Sequence, residues 1–238
     1  MSRSEDLARL YSLLGRLESA GGKRTLESLG TTRDWPRRGV YFFFEAGEER
    51  SESGTGPRLV RVGTHALGAG ARSTLRQRLR QHGGGSAGGG NHRGSIFRLL
   101  VGEALLTRGA CPSCLSWGVK GDFGKDAASV NASRTELSAS EAPVEFAVSA
   151  YLRAMPFLWL SIDDEPGPGS LRGVIERNSI ALLSNFDRPP LDPPSDIWLG
   201  RLSSRKKVHQ SGLWNQNHVG EDYDPAFLDV LDDVISRA

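Results

Sequence analysis

Three short runs decide what this chain can fold into. Val40-Tyr41-Phe42-Phe43-Phe44 is continuously apolar and rich in aromatics, the pattern of a buried strand. Leu59-Val60-Arg61-Val62 is a second strand stopped by Gly63, and the polar stretch 45–57 between the two predicts an antiparallel hairpin. Met155 to Ile162 is a third strand. The other periodic segments have helical spacing. Residues 5–20 place Leu7, Leu10, Tyr11, Leu14 and Leu17 on one stripe, and further helices are expected over 73–82, 95–106, 141–154, 171–184 and 225–236. Residues 23–38 are polar and irregular, and the Gly-rich stretch 83–90 reads as a loop. Residues 107–140, rich in Gly, Ser, Asp and Asn, read as an insertion.

The chain has 238 residues, 38% hydrophobic and 24% charged, which excludes a disordered polymer and suffices for a real core. No apolar run approaches about 20 residues, so no membrane span is expected, and the first residues do not resemble a secretory leader. Two cysteines make no disulfide framework, and a cytoplasmic location is expected. The net charge of +2 hides a strong asymmetry. Between Ser53 and Gly102 there is no Asp or Glu, whereas eight arginines and three of the five histidines fall there. Arginine grips phosphate bidentately, so this window suggests a polyanionic partner, with a solvated basic face as the alternative.

Within the 73–82 helix, Arg78 and His82 lie beside the Leu75/Leu79 stripe that packs inward, while Arg76 and Arg80 point toward solvent. An arginine at the rim of a buried face costs desolvation unless it meets an anion. Tyr41 lies in the first strand, His92 follows the Gly-rich loop, and Glu176 lies in the helix after the third strand. Phosphodiester hydrolysis needs few parts: a carboxylate for a divalent cation, a cation for the phosphate and a base for the water.

These residues resemble the GIY-YIG nuclease domain. Gly39-Val40-Tyr41 is similar to its first signature, and Arg61-Val62-Gly63 stands where the second belongs. Leu75 to His82 resembles the family's Arg-x-x-x-His helix, with Arg78 and His82 in those places. Asn91 to Ile96 resembles the segment that supplies a further histidine, His92, and Ile175 to Ile180 resembles the helix that carries a metal-binding glutamate, Glu176. The resemblance covers about residues 38–186. It implies an α+β fold, a small antiparallel three-stranded sheet flanked by helices. Residues 38–190 would form the nuclease core, interrupted by the insertion. Residues 1–37 and 191–238 would be helical N- and C-terminal extensions. It also implies a DNA endonuclease that binds one Mg²⁺ or Mn²⁺ through Glu176, clamps the phosphate with Arg78 and uses Tyr41 to position nucleophile or phosphate. The tyrosine of the second signature is Arg61 here, which leaves the base open among Tyr41, His65 and His82. The family's asparagine would be Asn185 or Asn178. Arg61, Arg76, Arg80 and Arg93 are the expected DNA contacts.

Cys111 and Cys114 have the spacing of a zinc half-site, but there is no second cysteine pair. His209 or His218 could complete it only over a long range, so zinc is not expected. Trp214 to His218 reads as a packing anchor with loop-capping amides, although such groups can also stack on bases. The expected partner is DNA, with a homodimer or a larger defence or repair complex as further options, and a restriction or mobile-DNA role. Competing readings are an inactive nucleic-acid-binding module, for which Arg61 is the argument, and a docking subunit of a larger DNA-processing complex.

Overall fold

The computed structural model describes residues 2–30, 35–118 and 132–237. Its sheet has the order β2-β1-β3, with β1 at Gly39–Glu49, β2 at Pro57–Gly63 and β3 at Phe157–Ser161. Both pairings are antiparallel. The helices among the described residues are α1 (Arg3–Gly21), α2 (Leu75–Gly83), α3 (Ile96–Thr107), α4 (Arg134–Ala154), α5 (Leu171–Leu183), α6 (Lys206–Ser211) and α7 (Phe227–Ser236). The α+β arrangement with a three-stranded antiparallel sheet is thus present.

β1 is apolar at every position from 40 to 44 because both faces of the sheet are covered. Val40, Phe42 and Phe44 pack with Val62, Leu158 and Leu160 against α1, α5 and α7. Tyr41, Phe43, Val60 and Phe157 face α2, α3 and α4. Strand side chains alternate between faces, so a two-sided core requires an unbroken apolar run. Burying each such aromatic or aliphatic side chain contributes roughly 1.5–3 kcal/mol.

The segments outside 38–190 are built into these two cores. Leu7, Leu10 and Leu14 of α1 and Leu228 and Leu231 of α7 belong to the first, and Trp198 and Trp214 to the second. α1 starts with a capping box between Ser2 and Glu5, and Arg9 and Arg16 tie it to Asp229 and Asp232 of α7 at 2.6 and 2.5 Å.

Part of the 107–140 insertion, residues 119–131, lies outside the described residues. From residue 134 on, the expectation of an insertion is corrected: α4 begins at Arg134 rather than 141, capped by Ser133 and Glu136. Pro143 sits inside that helix. α4 presents Glu141 and Glu145, one turn apart, on its buried face.

Candidate active site

At the end of the sheet, Tyr41 pairs with Gly63 across β1 and β2. The two glycines of the motifs have steric reasons. A Cβ on Gly63 would lie 2.5 Å from Tyr41 Cζ, and one on Gly39 would collide with the Leu160 carbonyl. The Tyr41 ring therefore occupies the space that a side chain at position 63 would fill. Thr64 Oγ1 donates to the Gly39 carbonyl at 2.8 Å, joining the start of β1 to the end of β2.

Tyr41 Oη lies 2.9 Å from Nε2 of His82, and His82 Nδ1 lies 2.7 Å from Ser95 Oγ, the N-cap of α3. Tyr41 is 1% exposed and His82 is fully buried. Burial, then Arg78, Arg61 and Arg98, hold the His82 imidazole well below its usual range, so it is neutral at pH 7. His65, also buried, is pushed down to about 4 by its burial and by Arg172.

Arg61 is 5% exposed, which corrects its expected role as a DNA contact. Its guanidinium donates to the Trp214 carbonyl and lies 4.6 Å over the Phe97 ring. Burial lowers its pKa, and the neighbouring Tyr41 hydroxyl and Glu176 counteract this. Arg78 is half-buried and donates to the Gly94 carbonyl at 3.1 Å and to Gln81 at 3.0 Å. Glu176 is half-buried on α5, and its Oε1 accepts from the Thr64 amide at 3.0 Å. Burial raises the Glu176 carboxyl, opposed by that hydrogen bond and by Arg61, His218 and Arg78. Tyr41, Arg61, Arg78, His82 and Glu176 thus share one electrostatic neighbourhood.

Other expected site residues are committed to the framework. His92 receives a correction: its amide and Nδ1 both meet Glu145 Oε1, at 2.6 and 3.0 Å, and its ring stacks on Trp117. Arg98, fully buried, also pairs with Glu145. Arg93 forms a two-pronged pair with Glu141 at 2.8 and 2.7 Å, so it is no free DNA contact. Arg76 is half-buried and donates to the Leu29 carbonyl, whereas Arg80 is exposed. Asn185 closes the loop to Leu191 and accepts from Arg3. Asn178 links Val174 to the Asp224 amide. Neither asparagine reaches the Tyr41–His82 pair. Cys111 and Cys114 are half-buried free thiols.

One residue of this neighbourhood was not singled out for the site. His218 lines a cleft of about 580 Å³ together with Glu176, Asn178, Leu67 and Gly173. The signal available in the sequence was the Asn-His pair after Trp214, read there as packing.

A divalent cation fits this arrangement. Glu176 Oε2 has no hydrogen-bond partner among the described residues and its cleft is open. No group of three or more potential metal ligands occurs among those residues. One carboxylate with room for waters and phosphate oxygens suits Mg²⁺ or Mn²⁺. In comparison with known proteins, the family model of the GIY-YIG domain matches residues 1–238. No curated protein and no solved structure matches.

Proposed function

The chain belongs to the GIY-YIG domain family, a family of nucleases, and from that premise we propose that it is a metal-dependent endonuclease hydrolysing DNA phosphodiester bonds. The observation that carries the proposal is the meeting of Tyr41, His82, Arg78 and Glu176 at one end of the sheet, from elements far apart in the chain.

Glu176 would hold the cation. The ion, when bound, would neutralise phosphate charge and stabilise the leaving oxygen. Arg78, the half-buried arginine at the rim, pairs with the scissile phosphate. Tyr41 Oη accepts the proton of the attacking water and passes its own hydroxyl proton to His82 Nε2. Burial and three arginines keep His82 unprotonated, the state an acceptor needs, and make it a weak base. The arriving phosphate supplies the negative charge that offsets those arginines. Tyr41 is covered, so the side chains over its hydroxyl move before the water reaches it.

Cleavage of supercoiled plasmid in Mg²⁺ or Mn²⁺, with an EDTA control, tests this reading. The parent cuts, and Glu176→Gln and Arg78→Ala lose cutting at unchanged melting temperature. Glu176→Gln cutting at the parental rate would refute the scheme. Tight, salt-sensitive binding without cutting by the parent would instead establish the inactive binding module. Discrete fragments would support the restriction or mobile-DNA role.

A further inference from the structure

The positive charges left over once the framework has paired its own fall on one helix. Of the eight arginines between Ser53 and Gly102, Arg58, Arg93 and Arg98 face carboxylates and Arg61 is buried. Arg72, Arg76, Arg78 and Arg80 remain, and none of them has a carboxylate within ion-pair distance among the described residues. All four lie on α2 or in the lead-in to it. A cleft of about 1200 Å³ runs along this helix, which lines it with Gln77, Arg80 and Gln81. The cleft is continuous with the reaction centre. Arg78 donates to Gln81 and to the Gly94 carbonyl, and both of those residues line it.

The Gly-rich loop forms a second wall, and a further uncompensated cation holds it. Arg153 of α4 lines the cleft and donates to the carbonyls of Gly83, at 2.9 Å, and Gly85. It too has no carboxylate partner among the described residues. Gly84 needs its glycine, because its φ is +74° and a Cβ there would collide with the Gly89 carbonyl. Gly85 and Gly94 have no such need. Neither has a positive φ, and a Cβ would meet only the Gly89 carbonyl at 3.8 Å in the first case and nothing within 4 Å in the second. Glycine at these two lining positions lets the backbone of a ligand come close. Among the described residues that line the cleft, Glu27 is the one acidic side chain and none is aromatic, so bases have no platform to stack on.

We propose that this cleft seats the sugar–phosphate backbone that flanks the scissile bond and grips it without regard to sequence. The inference rests on the nuclease reading. Arg80 pairs with a phosphate of the flank, and the charge of Arg153 adds to the field that draws the strand in. The amides of Gln77 and Gln81 donate to phosphate or sugar oxygens. Such contacts fix the position of the strand and carry no base information. Each phosphate neutralised in this way releases counterions, so the grip weakens with salt. Base readout, where cleavage shows any, then falls to other surfaces of the chain.

The test is fluorescence anisotropy of the full chain with two DNA duplexes of unrelated sequence, titrated with salt in EDTA so that nothing is cut. Arg80→Gln weakens binding by about 5–10-fold at about 0.1 M salt and lowers the slope of log affinity against log salt by about 0.9, equally on both duplexes. Gly85→Asp puts a carboxylate into the cleft and weakens binding likewise, whereas Glu27→Gln removes one and tightens it. Arg80 and Glu27 are exposed, so those two variants keep the fold. Arg237→Gln, the loss of one exposed positive charge beyond the end of α7, leaves binding unchanged. Parental affinity and slope in Arg80→Gln and Gly85→Asp, losses confined to one duplex, or equal losses in Arg237→Gln overturn the proposal. So does a parent that binds neither duplex. A parent that binds as expected but fails to cut plasmid in Mg²⁺ or Mn²⁺ establishes the ligand of the cleft and overturns the nuclease reading alone.

Discussion

Gly63→Ala is the substitution with the sharpest expected consequence. Gly63 lies outside the left-handed region, so alanine fits the backbone and the whole cost is contact. The new Cβ would stand 2.5 Å from Tyr41 Cζ and 2.6 Å from Cε2. Carbon atoms pack at about 3.5–4.0 Å, so the ring must retreat by roughly 1 Å. It has no free space to enter, because it packs edge-on against Phe43 and His82, at centroid distances of 5.6 and 5.4 Å, both fully buried. Overpacking of this kind costs about 1–3 kcal/mol, which for a domain of this size lowers the melting temperature by about 2–12 °C. The same retreat breaks the 2.9 Å bond to His82. A misplacement of about 1 Å in a catalytic group costs roughly 10²-fold in rate. The assay is plasmid nicking under single-turnover conditions, with thermal melting and DNA binding alongside; binding stays at the parental level. Tyr41→Phe removes the hydroxyl, so adding Gly63→Ala to it gives little further loss of rate. A Gly63→Ala protein with parental rate and melting temperature would refute both the packing argument and the role of Tyr41.

Three further outcomes follow from the framework. Glu48→Ala leaves Arg58 buried without its carboxylate partner at 2.7 Å and should cost about 3–5 kcal/mol in urea unfolding, whereas the double change to methionine recovers most of it. His65, with a folded pKa of about 4, binds its proton more weakly folded than unfolded, so its contribution is present above about pH 6.5 and fades as pH falls toward 4. Urea midpoints taken from pH 7 to 5 should fall accordingly, by at most about 1.4 kcal/mol per pH unit from this group, and His65→Gln should flatten the slope. Asn215→Ala unpairs the Val62 amide and carbonyl at the β2 edge, costing about 1–3 kcal/mol, and hydrogen exchange at Val62 should report it directly.

The strands and the helices around α2, α3 and α5 were legible in the sequence because local pattern and tertiary burial agree there. The apolar run 40–44 announces a strand covered on both faces, and the Leu75/Leu79 stripe announces the inner side of α2. The start of α4 was not read, although Ser133 and Glu136 form its capping box, because Pro143 interrupts the periodicity. The basic window misled in part. Its charges are separated in sequence from the carboxylates that neutralise them in space: Arg58 meets Glu48, Arg93 meets Glu141 and Arg98 meets Glu145. A charge count along the chain cannot see partners contributed by α4, 47 or 48 positions away. His218 is named in the sequence only as a remote zinc ligand or as part of a packing anchor. Its place in the cleft beside Glu176 depends on a left-handed turn and a carboxylate three residues on, neither of which has a helical or strand period.

The edges of the sheet carry a consequence of their own. β2 is bordered by Trp214 and Asn215, and β3 by Arg24, which exchanges both backbone hydrogen bonds with Phe157 at 2.9 and 2.7 Å. Bare strand edges recruit strands from other molecules, and a sheet of three strands has two of them. Here irregular chain of the same protein occupies both positions without extending the sheet. The residues that border β2 therefore also guard against self-association. A chain cut between α5 and Leu213 would bare the Val60–Val62 edge, whose side chains are apolar apart from Arg61 and whose polar groups would have no internal partner. Such a fragment would join its copies edge to edge and leave solution as an aggregate.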